Sequence, residues 1–302
     1  MKQEMLPEGI SAFSIMSLAT SKSLILSLSL TLYNIRPLIN IYFIGNLNDP
    51  KQLAGVVLGY TVMNILYLTL AKGISDGSAS MISQAYGAGK RVEVAIYLLR
   101  TLFVVTVLMM ICAIVFSQLD HILMAIGFDD EISRIASHYS LCIVPGLWSI
   151  SMFVVISRFL SCLFYFMAPV YTLLFTNVLH VILCHIFVEN YGMEVNGVLL
   201  STNITFIIDL ILIICYCVFE KSVSEYFLSL QILDCRVVDN LSAFLAHTIP
   251  SALILMLRSC AMQSLVFISG WRSEAELNAC SISLSILALT LNPAYALAQV
   301  YQ

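Results

Sequence analysis

Eight stretches of this sequence are apolar for about 20 residues each, and they constrain the fold more than any other feature. A helix needs about 20 apolar residues to cross the hydrocarbon layer of a membrane. The chain is 60% hydrophobic and 11% charged, whereas a soluble domain carries about 25% charged residues. We therefore predict an all-α polytopic membrane protein, which excludes a soluble enzyme, a nucleic-acid binder and a disordered regulator. The predicted spans are 18–45, 53–71, 98–118, 135–157, 168–188, 196–219, 242–270 and 277–301.

The placement of Lys and Arg predicts how these spans are oriented. If the N-terminus is cytoplasmic, most basic residues outside the spans, including Lys90 and Arg91, also lie on the cytoplasmic side, as is usual in membrane proteins. The first residues contain no small-residue cleavage site, so we expect the first span to be retained. We predict a multi-pass protein with a cytoplasmic N-terminus, in either the plasma membrane or an internal membrane.

One polar stretch, 220–240, interrupts the series of spans and holds several charged residues. We interpret it as a cytoplasmic linker between two helical bundles, of which the first covers 1–219 and the second begins at 241. The eighth span reaches the end of the chain without a polar tail. We therefore expect the chain to be a C-terminally truncated fragment of a longer protein.

The segment 73–90, which follows the second predicted span, is rich in small residues. Residues such as Gly73 and Gly77 let neighbouring helices approach closely. Gly87 and Gly89 are typical of a helix end, so we interpret the segment as a cytoplasmic loop with a tightly packed helix end. It contains the sequence Gln84-Ala85-Tyr86-Gly87-Ala88.

That five-residue sequence resembles the QAYGA motif of the multidrug and toxic compound extrusion (MATE) family, and the eukaryotic branch of the family more than the bacterial one. Further resemblances follow in the family's order over most of the chain. Each of these resemblances is short, but together they follow the family's order and spacing, which makes the match specific. They lie at 43–47 with 53–55, at 127–132, at Tyr139 with 145–147, at 158–160, at Gly192 with Gly197, and at 249–251.

The resemblance implies a fold of two six-helix lobes with a substrate cavity between them. It also implies an antiporter that exports small organic or xenobiotic solutes, cationic ones included, in exchange for H⁺ or Na⁺. Apart from that ion no cofactor is expected, the bilayer and the solute are the expected partners, and the oligomeric state stays open. On this pattern, 1–219 is the first lobe, 220–240 the linker, and 241–302 the first two helices of an incomplete second lobe.

An intramembrane enzyme and a metal site are not expected. The sequence has no HExxH motif, and we find no paired catalytic aspartates on the spans. It also has no CxxC, and its five His residues show no metal-ligand spacing.

Arg36 and Asp209 are charged residues inside predicted spans, where ionisable groups are costly and are usually paired or functional. Both fall near the middle of the layer, so we expect them to be partners. Asp209 either couples ion movement to transport or forms a structural pair. In the related family, the position of Asp209 is usually Asn and that of Arg36 is apolar.

Three further candidates rest on the resemblance. Arg258 stands where eukaryotic family members have the glutamate that is taken as the coupling residue, and Gln263 falls at a second position that can be acidic. An arginine stays protonated at physiological pH, so Arg258 cannot cycle a proton and repels a cationic solute. Either coupling has moved to Asp209, or the solute is not cationic, or the protein no longer transports. The alternative is that Arg258 is snorkelling or paired and has no function. Asp76 lies one turn before the family's acidic position, here Ala79, and we expect a solvated charge at a helix end.

Proline and asparagine residues within the spans complete the set of candidates. Pro37 leaves the carbonyl near residue 33 without its helical donor and is expected to bend the first span, and Pro145 is the second candidate for a hinge or kink. Hydrogen bonds between helices are the expected role of the polar residues Asn34, Asn40, Asn64 and Asn177.

A second hypothesis belongs to a different functional class. The chain is then a truncated or degenerate membrane paralogue that does not transport, or a subunit that needs a second chain. Arg36 and Arg258 would persist in it as fixed structural charges.

Overall fold

The computed structural model describes residues 12–47, 49–228 and 237–300. Eight helices in this part of the chain are long and apolar enough to cross a membrane, which confirms the predicted multi-pass, all-α fold. They are Thr20–Gly45, Pro50–Gly87, Arg91–Phe116, Val144–Cys162, Met167–Asn190, Glu194–Phe219, Leu241–Gly270 and Glu274–Gln299.

Some spans combine two helices or contain a π-helical turn, at Asn64–Leu68 in the second span and at His185–Asn190 in the fifth. The α-helices are α1 (Ala12–Gly45), α2 (Pro50–Met63), α3 (Thr69–Gly87), α4 (Arg91–Phe116), α5 (Leu119–Ile126), α6 (Asp130–Cys142), α7 (Val144–Cys162), α8 (Met167–Cys184), α9 (Glu194–Phe219), α10 (Lys221–Leu228), α11 (Leu241–Gly270) and α12 (Glu274–Val300).

The first six spans pack around α7, whose side chains are largely buried. Helix α7 contacts α3, α4 and α9, while α1 packs against α8. The last two spans join this bundle mainly where α11 lies along α3 and α12 lies along α1, and both also contact α2. Helices α1 and α3 therefore connect the first six spans to the last two.

The small-residue segment is helical up to Gly87, so the interpretation of the whole segment 73–90 as a loop is wrong. Its glycines face α11 closely. A Cβ added to Gly73 would lie 2.3 Å from the Cα of Ala252, and one added to Gly77 would lie 3.0 Å from the Cα of Thr248. The two glycines, one turn apart, let the backbones of α3 and α11 touch, as the small residues predicted.

The end of α3 has the form that its glycines predicted. Gly89 has a positive φ of 70°. The N–H of Gly89 donates to the carbonyl of Tyr86, and the N–H of Lys90 donates to the carbonyl of Ala85. This pair of hydrogen bonds is the Schellman motif, which closes the last turn and satisfies its free carbonyls.

The fourth predicted span, 135–157, is interrupted at Ile143, where α6 ends and α7 begins. Pro145 lies in the first turn of α7, where its missing N–H does no harm. It therefore starts a helix just after the break between α6 and α7, and its role as a hinge or kink stays a prediction. The Asn203 side chain of α9 accepts from the N–H of Gly146 at 2.8 Å and donates to the carbonyl of Cys142 at 3.1 Å, which satisfies the interrupted backbone.

Helix α1 continues through Pro37 without interruption. The carbonyl of Leu32, beside the one that Pro37 leaves without a donor, accepts a hydrogen bond from the Asn177 side chain at 2.8 Å. A proline inside a transmembrane helix is tolerated where a neighbouring helix supplies such a bond.

The division into a first lobe, a linker and the start of a second lobe stays a prediction. The linker begins with α10, which Arg91 of α4 holds through Glu225 at 2.8 Å. The rest of it at 229–236 lies outside the described residues, as do the predicted cytoplasmic N-terminus at 1–11 and the last two residues of the eighth span.

The contact between α3 and α11 predicts a disulfide. A Cβ at position 77 would lie 3.3 Å from the Cβ of Ser251, close to the range of about 3.5–4.5 Å found in disulfides. We expect Gly77→Cys with Ser251→Cys to cross-link under mild oxidation in a chain whose nine cysteines are otherwise replaced. A protease site inserted between 228 and 237 lets the chain be cut between the two cysteines. If the disulfide has formed, the two fragments stay joined and run as one band on a non-reducing gel.

Gly77→Cys with Ser264→Cys is the matched control, because Ser264 lies about 20 Å further along α11 at 1.5 Å per residue. Equal cross-linking of both pairs would show that α3 and α11 do not meet in this register.

Candidate functional site

A buried ion pair connects α1 and α9. Arg36 is 2% exposed and Asp209 is 0% exposed. The Arg36 Nη1 atom lies 2.5 Å from Asp209 Oδ2, so the predicted partnership is confirmed. A charge inside a bilayer costs about 3 kcal/mol even on insertion scales, and the pairing offsets that cost for both residues.

Helix α8 supplies the remaining partners of the pair. Arg36 Nε donates to Asn177 Oδ1 at 3.1 Å, and Arg36 Nη2 donates to Thr176 Oγ1 at 2.9 Å. The Thr176 hydroxyl donates to the second carboxylate oxygen of Asp209 at 2.5 Å. The guanidinium also lies 5.1 Å from the centre of the Phe206 ring. Arg36 of α1 is therefore held by side chains of α8 and α9, and the Asp209 carboxylate is its charge partner.

A second polar cluster lies one helical turn from the pair and centres on His180, which is fully buried. Asn40 Nδ2 donates to Thr202 Oγ1 at 3.2 Å. The Asn40 side-chain oxygen lies 2.8 Å from His180 Nε2, and because an amide oxygen only accepts, the ring nitrogen donates. The other ring nitrogen lies 3.2 Å from Thr205 Oγ1. The polar contacts thus continue along α1, α8 and α9.

The sequence analysis did not identify His180, Thr176 or Thr205 as site residues. A signal was present, because polar residues recur at a spacing of four on each of the three spans. The repeats are Arg36 with Asn40, Thr176 with His180, and Thr205 with Asp209. Residues four apart share one helix face, so the repeats indicate polar faces that meet inside the bundle.

A small cavity of about 30 Å³ lies beside the ion pair. Arg36, Asn40 and Thr202 contribute its polar wall, and Tyr33 and Phe206 are among its aromatic residues. A water molecule needs roughly 10–15 Å³ by this measure. The cavity can therefore hold a water molecule against the Arg36 guanidinium.

Helix α1 also contacts the last span through hydrogen bonds. Asn34 Nδ2 donates to Asn292 Oδ1 at 3.0 Å, and Asn292 Nδ2 donates to Thr31 Oγ1 at 3.3 Å. Asn64 similarly accepts from Ser259 of α11 at 3.2 Å. The predicted role of the four asparagines in bonds between helices is confirmed.

Arg258 lies where the last two spans meet α3. Its guanidinium carbon is 4.1 Å from the centre of the Tyr295 ring on α12, and Lys72 Nζ on α3 is 5.9 Å from the same centre. Arg258 therefore packs against an aromatic ring between the helices. It is not brought together with the Arg36–Asp209 pair.

Asp76 is not the solvated end charge that the sequence predicted. Its carboxylate lies 3.2 Å from Arg158 Nε of α7, and the side chains are 19% and 11% exposed, respectively. The expectation was wrong because α3 continues beyond Asp76 for nearly three more turns, to Gly87. Asp76 consequently faces a neighbouring helix.

The remaining candidates lie apart from the ion pair. Gln263 is half-buried on α11, one turn beyond Ser259. The motif residues form the last turn of α3, where Gln84, Gly87 and Ala88 are exposed and Ala85 is buried. The Tyr86 ring packs against Phe164 at 6.2 Å between ring centres. These residues end a helix and link it to its neighbour.

Comparisons with known proteins agree on one family. A family model described as MatE matches residues 26–186. Protein DETOXIFICATION 1 of Arabidopsis thaliana is 26% identical over 256 residues, which cover 85% of this chain and 53% of that protein. Protein DETOXIFICATION 17 of the same organism is 25% identical over 281 residues, covering 91% and 56%. The chain spans about half the length of the curated relatives it matches.

Solved structures share the fold. The eukaryotic MATE transporter AtDTX14 matches with a TM-score of 0.85 at 16% identity, covering 96% of this chain and 64% of that one. A MATE protein in a bent conformation matches with a TM-score of 0.74 at 19% identity, covering 93% and 62%. At these identities the likeness concerns the fold alone.

The ion pair predicts a non-additive stability effect. Removing one partner of a buried pair leaves the other charge unpaired, which costs about 3–5 kcal/mol. We expect Asp209→Leu to lower the free energy of unfolding by that amount, and Arg36→Met combined with Asp209→Leu to recover most of the loss. Unfolding of the purified protein in mixed micelles measures both variants. Additive losses would mean that the two charges do not stabilise each other.

Proposed function

Because this chain belongs to the eukaryotic type of the MATE family of transporters, we propose that the whole protein exports small organic solutes in exchange for H⁺ or Na⁺. Its spans place it in the bilayer as a multi-pass integral membrane protein. The proposal assigns the coupling ion to the Arg36–Asp209 pair and the solute to the space between the first six spans and the last two.

The buried pair carries this proposal. Asp209 is fully buried, yet it is held by a side chain that an incoming cation can replace. Buried ionisable groups within a bilayer commonly mark ion pathways. The neighbouring cavity leaves room for a water molecule beside Arg36, the partner of Asp209.

Exchange at Asp209 has a direct mechanical consequence. A proton or Na⁺ that binds the carboxylate competes with the Arg36 guanidinium and weakens the bond between α1 and α9. Helix α1 is also joined to α12 through Asn34 and Asn292. A shift of α1 at Pro37 would therefore change its contact with the last two spans, which is the kind of movement that alternating access requires.

The test is export from cells that express the whole protein and are loaded with either the cationic dye rhodamine 123 or the anionic dye 5-carboxyfluorescein. We expect export that an imposed H⁺ or Na⁺ gradient drives and that a matching ionophore abolishes. Asp209→Asn should reduce the gradient-dependent rate by at least about tenfold, because an amide cannot bind and release the ion. Comparing the two gradients identifies the coupling ion.

Glu189→Gln is the control, since Glu189 is an exposed carboxylate that pairs with His185. Full export by Asp209→Asn would remove Asp209 from the mechanism. If the correctly inserted protein exports neither rhodamine 123 nor the anionic dye 5-carboxyfluorescein under either gradient, the transport proposal fails. The non-transporting alternative would then stand.

A further inference from the structure

A cluster of positive charge lies between α3, α7, α11 and α12, apart from the buried pair. Lys72 and Arg258 both approach the Tyr295 ring, at 5.9 Å and 4.1 Å from its centre. Arg158 lies close enough for its charge, like those of Arg258 and Asp76, to act on Lys72. We call Lys72, Arg258 and Tyr295 the basic cluster.

The charges in this region do not balance. Asp76 is the carboxylate that acts on Lys72, and it is already paired with Arg158. Among the described residues, no carboxylate lies within the 4 Å salt-bridge distance of Lys72 or Arg258. Two cations therefore converge on one ring without an anion.

The ring itself does not account for this arrangement. A cation over an aromatic ring gains a modest amount, about 0.5–2 kcal/mol, whereas the two positive charges beside the same ring repel each other. An anion placed between Lys72 and Arg258 would replace that repulsion with two attractions. Arginine also offers a planar fork that matches a carboxylate.

The basic cluster is accessible where a transported solute would lie. Arg258 is exposed and Lys72 is half-buried. The residues of the basic cluster come from both sides of the contact between the first six spans and the last two. Substrate sites of secondary transporters commonly lie at such an interface between repeats.

We propose that the basic cluster binds a small organic anion that carries a carboxylate, with Lys72 and Arg258 holding the charge and Tyr295 supporting an apolar or aromatic part. This inference rests on the proposed transport function and assigns the class of solute to it. A solute of this kind is the opposite of the cationic solutes that the sequence resemblance implied.

The experiment compares two dyes of the same xanthene scaffold and opposite charge. Anisotropy measures the binding of 5-carboxyfluorescein and rhodamine 123 to this chain purified in nanodiscs of neutral phosphatidylcholine. We expect the chain to bind 5-carboxyfluorescein at least about tenfold more tightly. Lys72→Gln with Arg258→Gln should weaken that binding by about tenfold or more, which corresponds to 1.4 kcal/mol, and Arg258→Glu should shift the preference towards rhodamine 123.

Two controls separate a charge effect from misfolding. Lys72→Arg with Arg258→Lys keeps both charges and should retain anion binding within about threefold. Lys22→Gln removes a cation that likewise lies over a ring, Phe166 at 5.5 Å, but outside the basic cluster, and it should have no effect.

Tighter binding of rhodamine 123 to the unaltered chain would overturn the inference, as would unchanged 5-carboxyfluorescein binding in the double Gln variant. Neither result depends on transport. Gradient-driven export of rhodamine 123 together with absent anion binding would keep the proposed function and reject the basic cluster as the solute site.

Discussion

The ion pair between Arg36 and Asp209 is the charged interaction that constrains the position of α1. An arginine in the hydrocarbon layer needs both a counter-charge and partners for its other N–H groups, and these come from α8 and α9. The pair therefore sets the position of α1 within the first six spans. Because Asn34 lies on the same helix and bonds to Asn292, the pair also determines how α12 approaches.

The connection between the first six spans and the last two has two physically different parts. At Gly73 and Gly77 the backbones of α3 and α11 touch, and a larger side chain there would collide with Ala252 or Thr248. Along α1 and α12, and around Tyr295, the contact consists of hydrogen bonds and charged groups. The first part needs close packing, whereas the second can exchange partners with ions or solutes.

The charged residues form two separate sites, which have different roles in the proposed transport cycle. Asp209 lies deep in the first six spans and is suited to a small cation, which would compete with Arg36 and weaken the bond between α1 and α9. The basic cluster lies between the helix groups, where Arg258 is exposed. Under the proposed function, ion coupling would not depend on the residue at position 258, since the two sites need not share a residue.

The sequence by itself determined the number of spans, the helix end at Gly87 and Gly89, the close approach at Gly73 and Gly77, and the partnership of Arg36 with Asp209. Hydropathy, glycine conformation and depth in the membrane are local properties, so they are readable along the chain. Only the tertiary structure decided that Thr176, Asn177 and His180 complete the polar site, that Asp76 pairs with Arg158, and that Arg258 shares Tyr295 with Lys72. Those contacts join residues far apart in sequence, 140 positions between Arg36 and Thr176, and the rotation of each helix about its axis selects among many polar residues at similar depth.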